Sequence, residues 1–212
     1  MCNPNSSSKI AAEFKRHKIK DIDKTIKTAY NDNSKAGYFA DIAIILENID
    51  RFSLIGGEAF VHPDFDEIFE MVMNSSNVGN IDLFIITNGT LLPQKVLDNA
   101  HRFGRLTLNF SIDGVGDRAS YIRNGTVWSV YDNNLRRAIA SDAHVSFTVA
   151  VQTLNIGYLD EIYDYVVSVG IDPAFVGWST TVTYPARHNA SNIPTGLKQE
   201  YKDKYAKRQF KH

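Results

Sequence analysis

The sequence predicts an α/β fold built on a parallel sheet. From residue 51 onward, short β-branched or aromatic segments alternate with segments whose apolar residues fall on one helical face. Little sequence separates one segment from the next, and repeated strand–helix units imply parallel strands joined by right-handed crossovers. This pattern is compatible with either a barrel or a doubly wound sheet.

Five segments have the composition of β-strands, and each is bounded by Gly, Asn or Asp. The predicted strands are residues 52–55, 82–87, 105–112, 145–152 and 175–183. The helices between them each carry an apolar stripe, of which two are well defined. These stripes are Phe65, Ile68, Phe69 and Val72, and Leu159, Ile162, Tyr163, Val166 and Val167. Two further helices are predicted at 7–18 and 36–49.

Composition narrows the class of protein. The chain has 212 residues, 43% of them hydrophobic, which is typical of about one globular domain. A net charge of −1 gives no field that would attract nucleic acid or anionic lipid. The first thirty residues are polar, and a single cysteine, Cys2, excludes an intrachain disulfide framework. We therefore expect a soluble, cytoplasmic protein with neither a nucleic-acid nor a membrane partner.

Polar residues follow the predicted strands at the end where α/β folds place their active sites. Gly56-Gly57-Glu58 follows the first strand, and a carboxylate after two glycines can hold an amine or a metal. The pairs Asn88-Gly89 and Asp113-Gly114 are ordinary turn sequences, which explains them without a functional role. That explanation does not extend to Glu58 or to Ser111. Arg123 could clamp a carboxylate, although taken alone it is more typical of a solvated surface.

Taken together, these residues resemble the radical S-adenosylmethionine (SAM) superfamily, in particular its branch with a SPASM or twitch extension. Gly56-Gly57-Glu58-Ala59 resembles the family's Gly-Gly-Glu-Pro motif, with Ala59 in place of proline. Ser111-Ile112-Asp113-Gly114, with Arg123 twelve residues after the serine, resembles its strand-four signature, and Thr87-Asn88-Gly89 resembles its strand-three ending. The resemblance implies a partial (β/α)6 TIM-like barrel, strands two to six, over residues 1–185. Residues 186–212 would form a charged helical tail.

The resemblance also implies a SAM site at the open face of the barrel. Glu58 would bind the methionine ammonium of SAM, Arg123 its carboxylate, and Leu154 would approach the adenine through its backbone. The other residues expected around SAM are Gly56, Gly57, Thr87, Asn88, Ser111 and Asp113.

Cys2 resembles the third cysteine of the family's Cys-x3-Cys-x2-Cys motif, which binds a 4Fe-4S cluster. The first two cysteines, the first strand and the C-terminal auxiliary domain have no counterpart in this sequence. We therefore expect a fragment, arising from a truncated gene model or a split gene. One thiolate does not hold a cluster that needs three.

For the intact protein, the resemblance implies reductive cleavage of SAM to a 5′-deoxyadenosyl radical that abstracts a substrate hydrogen. The substrate would be a peptide or a small molecule, and the electron donor a protein such as flavodoxin or ferredoxin. Two alternatives remain at this point. One is a non-catalytic remnant that binds SAM or a partner protein, and the other is an unrelated α/β-barrel enzyme that uses Glu58 as a base.

Overall fold

The computed structural model describes Arg16, residues 32–180, Val182 and residues 185–206. Within these residues, seven α-helices and five strands alternate along the chain. The helices are α1 (Asp32–Leu46), α2 (Phe65–Asn74), α3 (Gln94–Asp98), α4 (Asp117–Ile122), α5 (Trp128–Ile139), α6 (Leu159–Ser168) and α7 (Thr195–Tyr205). The strands are β1 (Arg51–Leu54), β2 (Asp82–Thr87), β3 (Arg105–Ser111), β4 (His144–Ala150) and β5 (Val176–Ser179).

All five strands lie in one parallel sheet with the spatial order β1-β2-β3-β4-β5. Each crossover therefore places the next strand directly beside the previous one, in a single direction across the sheet. A doubly wound sheet reverses its strand order at a switch point, whereas a barrel does not. Of the two architectures left open by the sequence, the observed order is that of a partial barrel.

The predicted strands are confirmed, with differences at their ends. The strand predicted at 82–87 is β2 as observed. Of the strand predicted at 175–183, β5 covers Val176–Ser179, while Thr181 and Thr183 lie outside the described residues. The pairing of β5 with β4 stops at Ser179, because its partner Ala150 is the last residue of β4. Beyond Ala150, Gln152 instead forms an isolated antiparallel bridge with Asn189.

The helix predictions have mixed outcomes. Helix α1 begins four residues before and ends three residues before the prediction of 36–49. All of the predicted helix 7–18 except Arg16 lies outside the described residues, as does Cys2. The α2 stripe is buried as predicted. In α6, Val167 is 50% exposed. It lies eight residues after Leu159, and this spacing places its side chain roughly 80° around the helix axis from that of Leu159.

The two faces of the sheet differ in chemistry. On one face, apolar side chains such as Ile85, Phe110 and Phe147 pack with the helices into a single core. On the other, Asn109 Nδ2 donates a hydrogen bond to Ser146 Oγ (2.8 Å), and Thr148 Oγ1 donates to Asn109 Oδ1 (2.8 Å). Alternation along each strand separates the two sets. The second face is therefore polar along β3 and β4, whereas Phe84 and Ile86 of β2 lie on the same face.

The C-terminal helix α7 is tied to the loop that precedes α6. The Tyr205 hydroxyl donates to the carbonyl of Ile156 (2.7 Å) and accepts from the N–H of Leu159 (3.2 Å). Lys204 Nζ donates to the carbonyl of Gly157 (2.7 Å) and pairs with Asp160 (2.9 Å). Along the part of the chain that the structure describes, no helix has both the length and the apolar character needed to cross a membrane.

Candidate functional site

Two glycines turn the chain immediately after β1. Gly56 has φ of 100° and Gly57 has φ of 54°, which is backbone that residues with a Cβ adopt rarely. A Cβ built on either glycine meets no heavy atom within 4 Å. Backbone conformation, rather than crowding by the protein, therefore requires these glycines, and the space beside them is open to a ligand.

The carboxylate of Glu58 joins the ends of β1 and β2. Oε1 accepts a hydrogen bond from Thr87 Oγ1 (2.8 Å), and Oε2 accepts one from the N–H of Asn88 (2.6 Å). The N–H of Phe60 lies 3.5 Å from Oε1. Burial raises the pKa of Glu58 above its usual value, although these hydrogen bonds and the charge of Arg123 act in the opposite direction. The carboxylate is thus fixed in orientation and partly desolvated.

The side chain of Asn88 closes a turn. Its Oδ1 accepts hydrogen bonds from the N–H (2.8 Å) and the hydroxyl (2.6 Å) of Thr90, so the turn role left open by the sequence accounts for it. Only its backbone N–H reaches Glu58. Thr87, in contrast, contacts Glu58 through its side-chain hydroxyl and is almost fully buried.

Arg123 is paired with Asp113. Arg123 Nε donates to Asp113 Oδ2 (2.7 Å), and Asp113 Oδ1 accepts from the N–H of Ala150 at the end of β4 (2.8 Å). Asp113 is buried, while the Arg123 side chain is 32% exposed. Within the described residues the Asp113 carboxylate orients Arg123 and holds β3 to β4, and its expected contact with SAM stays a prediction. Both Nη atoms of Arg123 lack a hydrogen-bond partner among the described residues.

Two other expected residues lie at neighbouring strand ends. Ser111 is the last residue of β3, is half-buried, and pairs across the sheet with Thr148. Its hydroxyl has no hydrogen-bond partner in the described part of the chain. Leu154 is half-buried in the loop that follows β4. The strand topology therefore brings the expected residues from four strand ends to one edge of the sheet.

Asn155, which sequence reasoning missed, organises this edge. It is fully buried, and its Nδ2 donates to the carbonyls of Asp113 (3.2 Å) and Ala150 (3.0 Å). Its Oδ1 accepts from the N–H of Gln152 (2.8 Å). The only signal in the sequence is an Asn in a strand-end loop, which is also what an ordinary turn contains.

The site presents opposite charges from two separate loops. Glu58 follows β1 and Arg123 follows β3, and the two are near enough for the positive charge of Arg123 to lower the pKa of Glu58. Each side chain is oriented by its own hydrogen bonds. This arrangement can bind a zwitterion, with an ammonium group at Glu58 and a carboxylate at the free edge of the Arg123 guanidinium.

Comparison with known proteins identifies the class. The sequence matches the profile of the Radical SAM superfamily over residues 38–166, which is more than half of the chain. The chain therefore belongs to the radical SAM superfamily. This result rules out the alternative of an unrelated α/β-barrel enzyme. A search of curated proteins finds no match to this chain.

Solved structures share the fold. Native anSMEcpe with bound AdoMet and Cp18Cys peptide aligns with a TM-score of 0.51 at 14% identity, covering 65% of this chain and 40% of that chain. The same protein with Kp18Cys peptide gives a TM-score of 0.51 at 14% identity, covering 66% and 40%. The chain thus spans about 40% of the length of these structures. At this identity the likeness establishes the fold, a partial radical SAM barrel.

Proposed function

We propose that this chain forms the SAM-binding part of a radical SAM enzyme. The observation that carries the proposal is the pair of fixed, opposite charges, Glu58 and Arg123, at the carboxyl edge of the sheet. SAM carries an ammonium and a carboxylate on one carbon, and this is the pair of charges that Glu58 and Arg123 would bind together. Glu58 would accept from the ammonium, and the Nη groups of Arg123 would donate to the carboxylate.

The neighbouring residues fit the remaining parts of SAM. The open backbone at Gly56 and Gly57 allows close approach beside Glu58. The free hydroxyl of Ser111 would donate to the bound ligand, and the backbone at Leu154 would contact the adenine. Thr87 and the N–H of Asn88 act through Glu58, because their hydrogen bonds orient its carboxylate.

In this superfamily, bound SAM supplies the radical chemistry that removes a hydrogen atom from the substrate. The residues described above would hold the two polar groups of SAM and keep its orientation fixed. A 4Fe-4S cluster is held by several thiolates, and the single cysteine of this sequence does not satisfy that requirement. For a protein that also carries the other cluster cysteines, we propose reductive cleavage of SAM, a flavodoxin or ferredoxin as electron donor, and a peptide or small-molecule substrate.

Calorimetric titration of the purified chain with SAM tests the binding site. We expect saturable binding near neutral pH that Glu58→Ala weakens roughly 10- to 100-fold, because a hydrogen bond to a charged group contributes about 1.5–3 kcal/mol. Glu200→Ala, at an exposed glutamate on α7, is the matched control and should bind as the parent does. No binding by the parent, or equal affinity in Glu58→Ala, would contradict the proposal.

A second candidate function is a non-catalytic barrel that binds SAM. It is favoured by one observation: the charge pair for SAM is complete, whereas the sequence has one cysteine. A protein extended at its N-terminus to include two further cluster cysteines, reconstituted anaerobically with iron and sulfide and then reduced, separates the two. Production of 5′-deoxyadenosine and methionine supports the enzyme. Binding of SAM without either product supports the non-catalytic barrel.

A further inference from the structure

Tyr131 of α5 carries a buried hydroxyl that the functions described so far do not use. Its side chain is 2% exposed, and its Oη has no hydrogen-bond partner among the described residues. Leaving a buried hydroxyl without a partner costs about 1–3 kcal/mol. Such a group calls for a physical explanation.

The ring of Tyr131 is held on three sides, so its hydroxyl has a fixed direction. It stacks on Trp128 (centroids 5.2 Å apart, planes at 17°) and meets Phe110 edge to face (5.8 Å, 83°). On the third side it fills the space beside Gly89, where a Cβ would lie 2.6 Å from Tyr131 Cδ2. The hydroxyl therefore cannot turn toward a different partner without repacking the core.

A cavity of about 10 Å³ adjoins Tyr131 and lies against the Asp113–Arg123 pair. Ser111 and Thr126 also line it. This volume is close to the minimum that one water needs, and a buried water needs two to four polar partners. The lining offers them, since Ser111, Asp113, Arg123 and Thr126 all carry polar side-chain atoms.

We propose that this cavity is a site for one ordered water that links the Tyr131 hydroxyl to the guanidinium of Arg123. The water would accept hydrogen bonds from Tyr131 and from an Nη of Arg123, and would donate to the oxygens of the lining. Arg123 has one ion pair among the described residues, through Nε, and is one-third exposed. A second tether would fix the plane of the guanidinium, which makes Tyr131 a positioning residue for the ligand carboxylate.

The inference rests on the proposed SAM site and is tested with two ligands. Tyr131→Phe removes only the hydroxyl, and Tyr121→Phe, at a 76% exposed tyrosine, is the matched control. SAM and decarboxylated SAM differ in the group that Arg123 would bind. We expect Tyr131→Phe to weaken SAM three- to tenfold by calorimetry while leaving decarboxylated SAM unchanged. Tyr121→Phe should change neither affinity.

Stability and crystallography give independent readouts. A Tyr131→Phe variant that binds SAM as the parent does and resists higher urea would show that the hydroxyl is unpaired, and would overturn the inference. Equal weakening of both ligands would overturn it too, because the effect would then come from packing. A parent that binds no SAM contradicts the proposed function instead. In that case, a crystal structure decides by the presence or absence of a water on Tyr131 Oη.

Discussion

The carboxylate of Glu58 accepts several hydrogen bonds, yet burial raises its pKa, so its ionisation opposes folding. Burial, the largest influence, raises the pKa above the ordinary 4.5, which means that the folded protein binds this proton more tightly than the unfolded chain. The resulting stabilisation is fully present at pH values below the pKa of Glu58 in the unfolded chain. It is lost as the pH rises through the pKa of Glu58 in the folded protein. At neutral pH the ionised carboxylate is therefore a net cost to stability.

Glu58→Gln tests whether the ionised carboxylate lowers the stability of the fold. The variant keeps an oxygen that accepts from the N–H of Asn88 but carries no charge, so it should unfold at higher urea than the parent near neutral pH. The difference should close as pH falls toward 4.5. Urea denaturation at several pH values measures it, with Glu200→Gln as the control. A variant that is less stable at neutral pH would indicate that ionised Glu58 stabilises the fold.

Asn155 is the residue whose loss should damage the site's framework most. Asn155→Ala would leave the carbonyls of Asp113 and Ala150 and the N–H of Gln152 without their side-chain partner. At about 1–3 kcal/mol for each unpaired buried group, partly relieved by water, we expect a loss of roughly 2–4 kcal/mol in the free energy of unfolding. Chemical denaturation measures this value.

Asn48→Ala is the matched control for Asn155→Ala. The Asn48 amide is exposed and makes one hydrogen bond, to the carbonyl of Ile44 (3.3 Å). Its loss should change stability by no more than about 0.5 kcal/mol. If the two variants were equally stable, Asn155 would not organise the loop after β4.

At the residue scale, the sequence indicated which residues gather at the site but not how they bond. Glu58 and Arg123 stood out through chemistry that a turn does not require. The partners of the Asp113 carboxylate, Arg123 and Ala150, lie 10 and 37 residues away in the sequence, and the contact with Ala150 forms because β3 and β4 pair. Asn155 resembles a turn residue in the sequence, because its contact with the carbonyl of Asp113 joins residues 42 positions apart. Roles set by long-range contacts do not leave a local pattern.

At the scale of elements, local patterns located the strands well and their ends less well. The alternation in β2 coincides with its pairing, because β3 pairs with all six of its residues and β1 with the first four. The β-branched composition of 175–183 continues past Ser179, but β4 ends at Ala150, the partner of Ser179. Composition predicts where a strand can form, whereas pairing determines where it ends.

The turn after β2 depends on a glycine for two reasons. Gly89 has φ of 73°, and a Cβ there would lie 2.6 Å from Tyr131 Cδ2 and 3.1 Å from Phe110 Cδ1. Gly89→Ala should therefore combine backbone strain of about 1–2 kcal/mol with overpacking of about 1–3 kcal/mol. We expect a loss of roughly 2–5 kcal/mol in the free energy of unfolding, measured by urea denaturation.

Gly170→Ala separates the two contributions. Gly170 has φ of 85°, but a Cβ there meets nothing within 4 Å, so only the backbone strain applies. Its cost should be about 1–2 kcal/mol, clearly below that of Gly89→Ala. Equal costs at the two sites would mean that Tyr131 moves aside freely. That result would also remove one of the three constraints on its hydroxyl.

For the molecule as a whole, strand order is the feature that joins the fold to the site. Because the five strands are adjacent in sequence order, their carboxyl ends follow one another along one edge. Residues up to about a hundred positions apart, from Gly56 to Leu154, reach that edge. The repeated strand–helix pattern predicted parallel strands, while the choice of a barrel came from the resemblance. Hydrophobic periodicity alone does not distinguish the two architectures.

The C-terminal helix α7 is attached to the rest of the molecule through Tyr205, and a substitution at Tyr205 tests this attachment. Tyr205→Phe removes the acceptor for the N–H of Leu159, at the first turn of α6, and the donor to the carbonyl of Ile156. Losing about 1–2 kcal/mol locally should speed amide exchange at residues 156–160 roughly 5- to 30-fold. Hydrogen-exchange mass spectrometry measures this, with Lys202→Ala, at an exposed lysine of α7, as the control. Because those residues adjoin Asn155 and Leu154, unchanged exchange there would show that α7 does not brace the loop that follows β4.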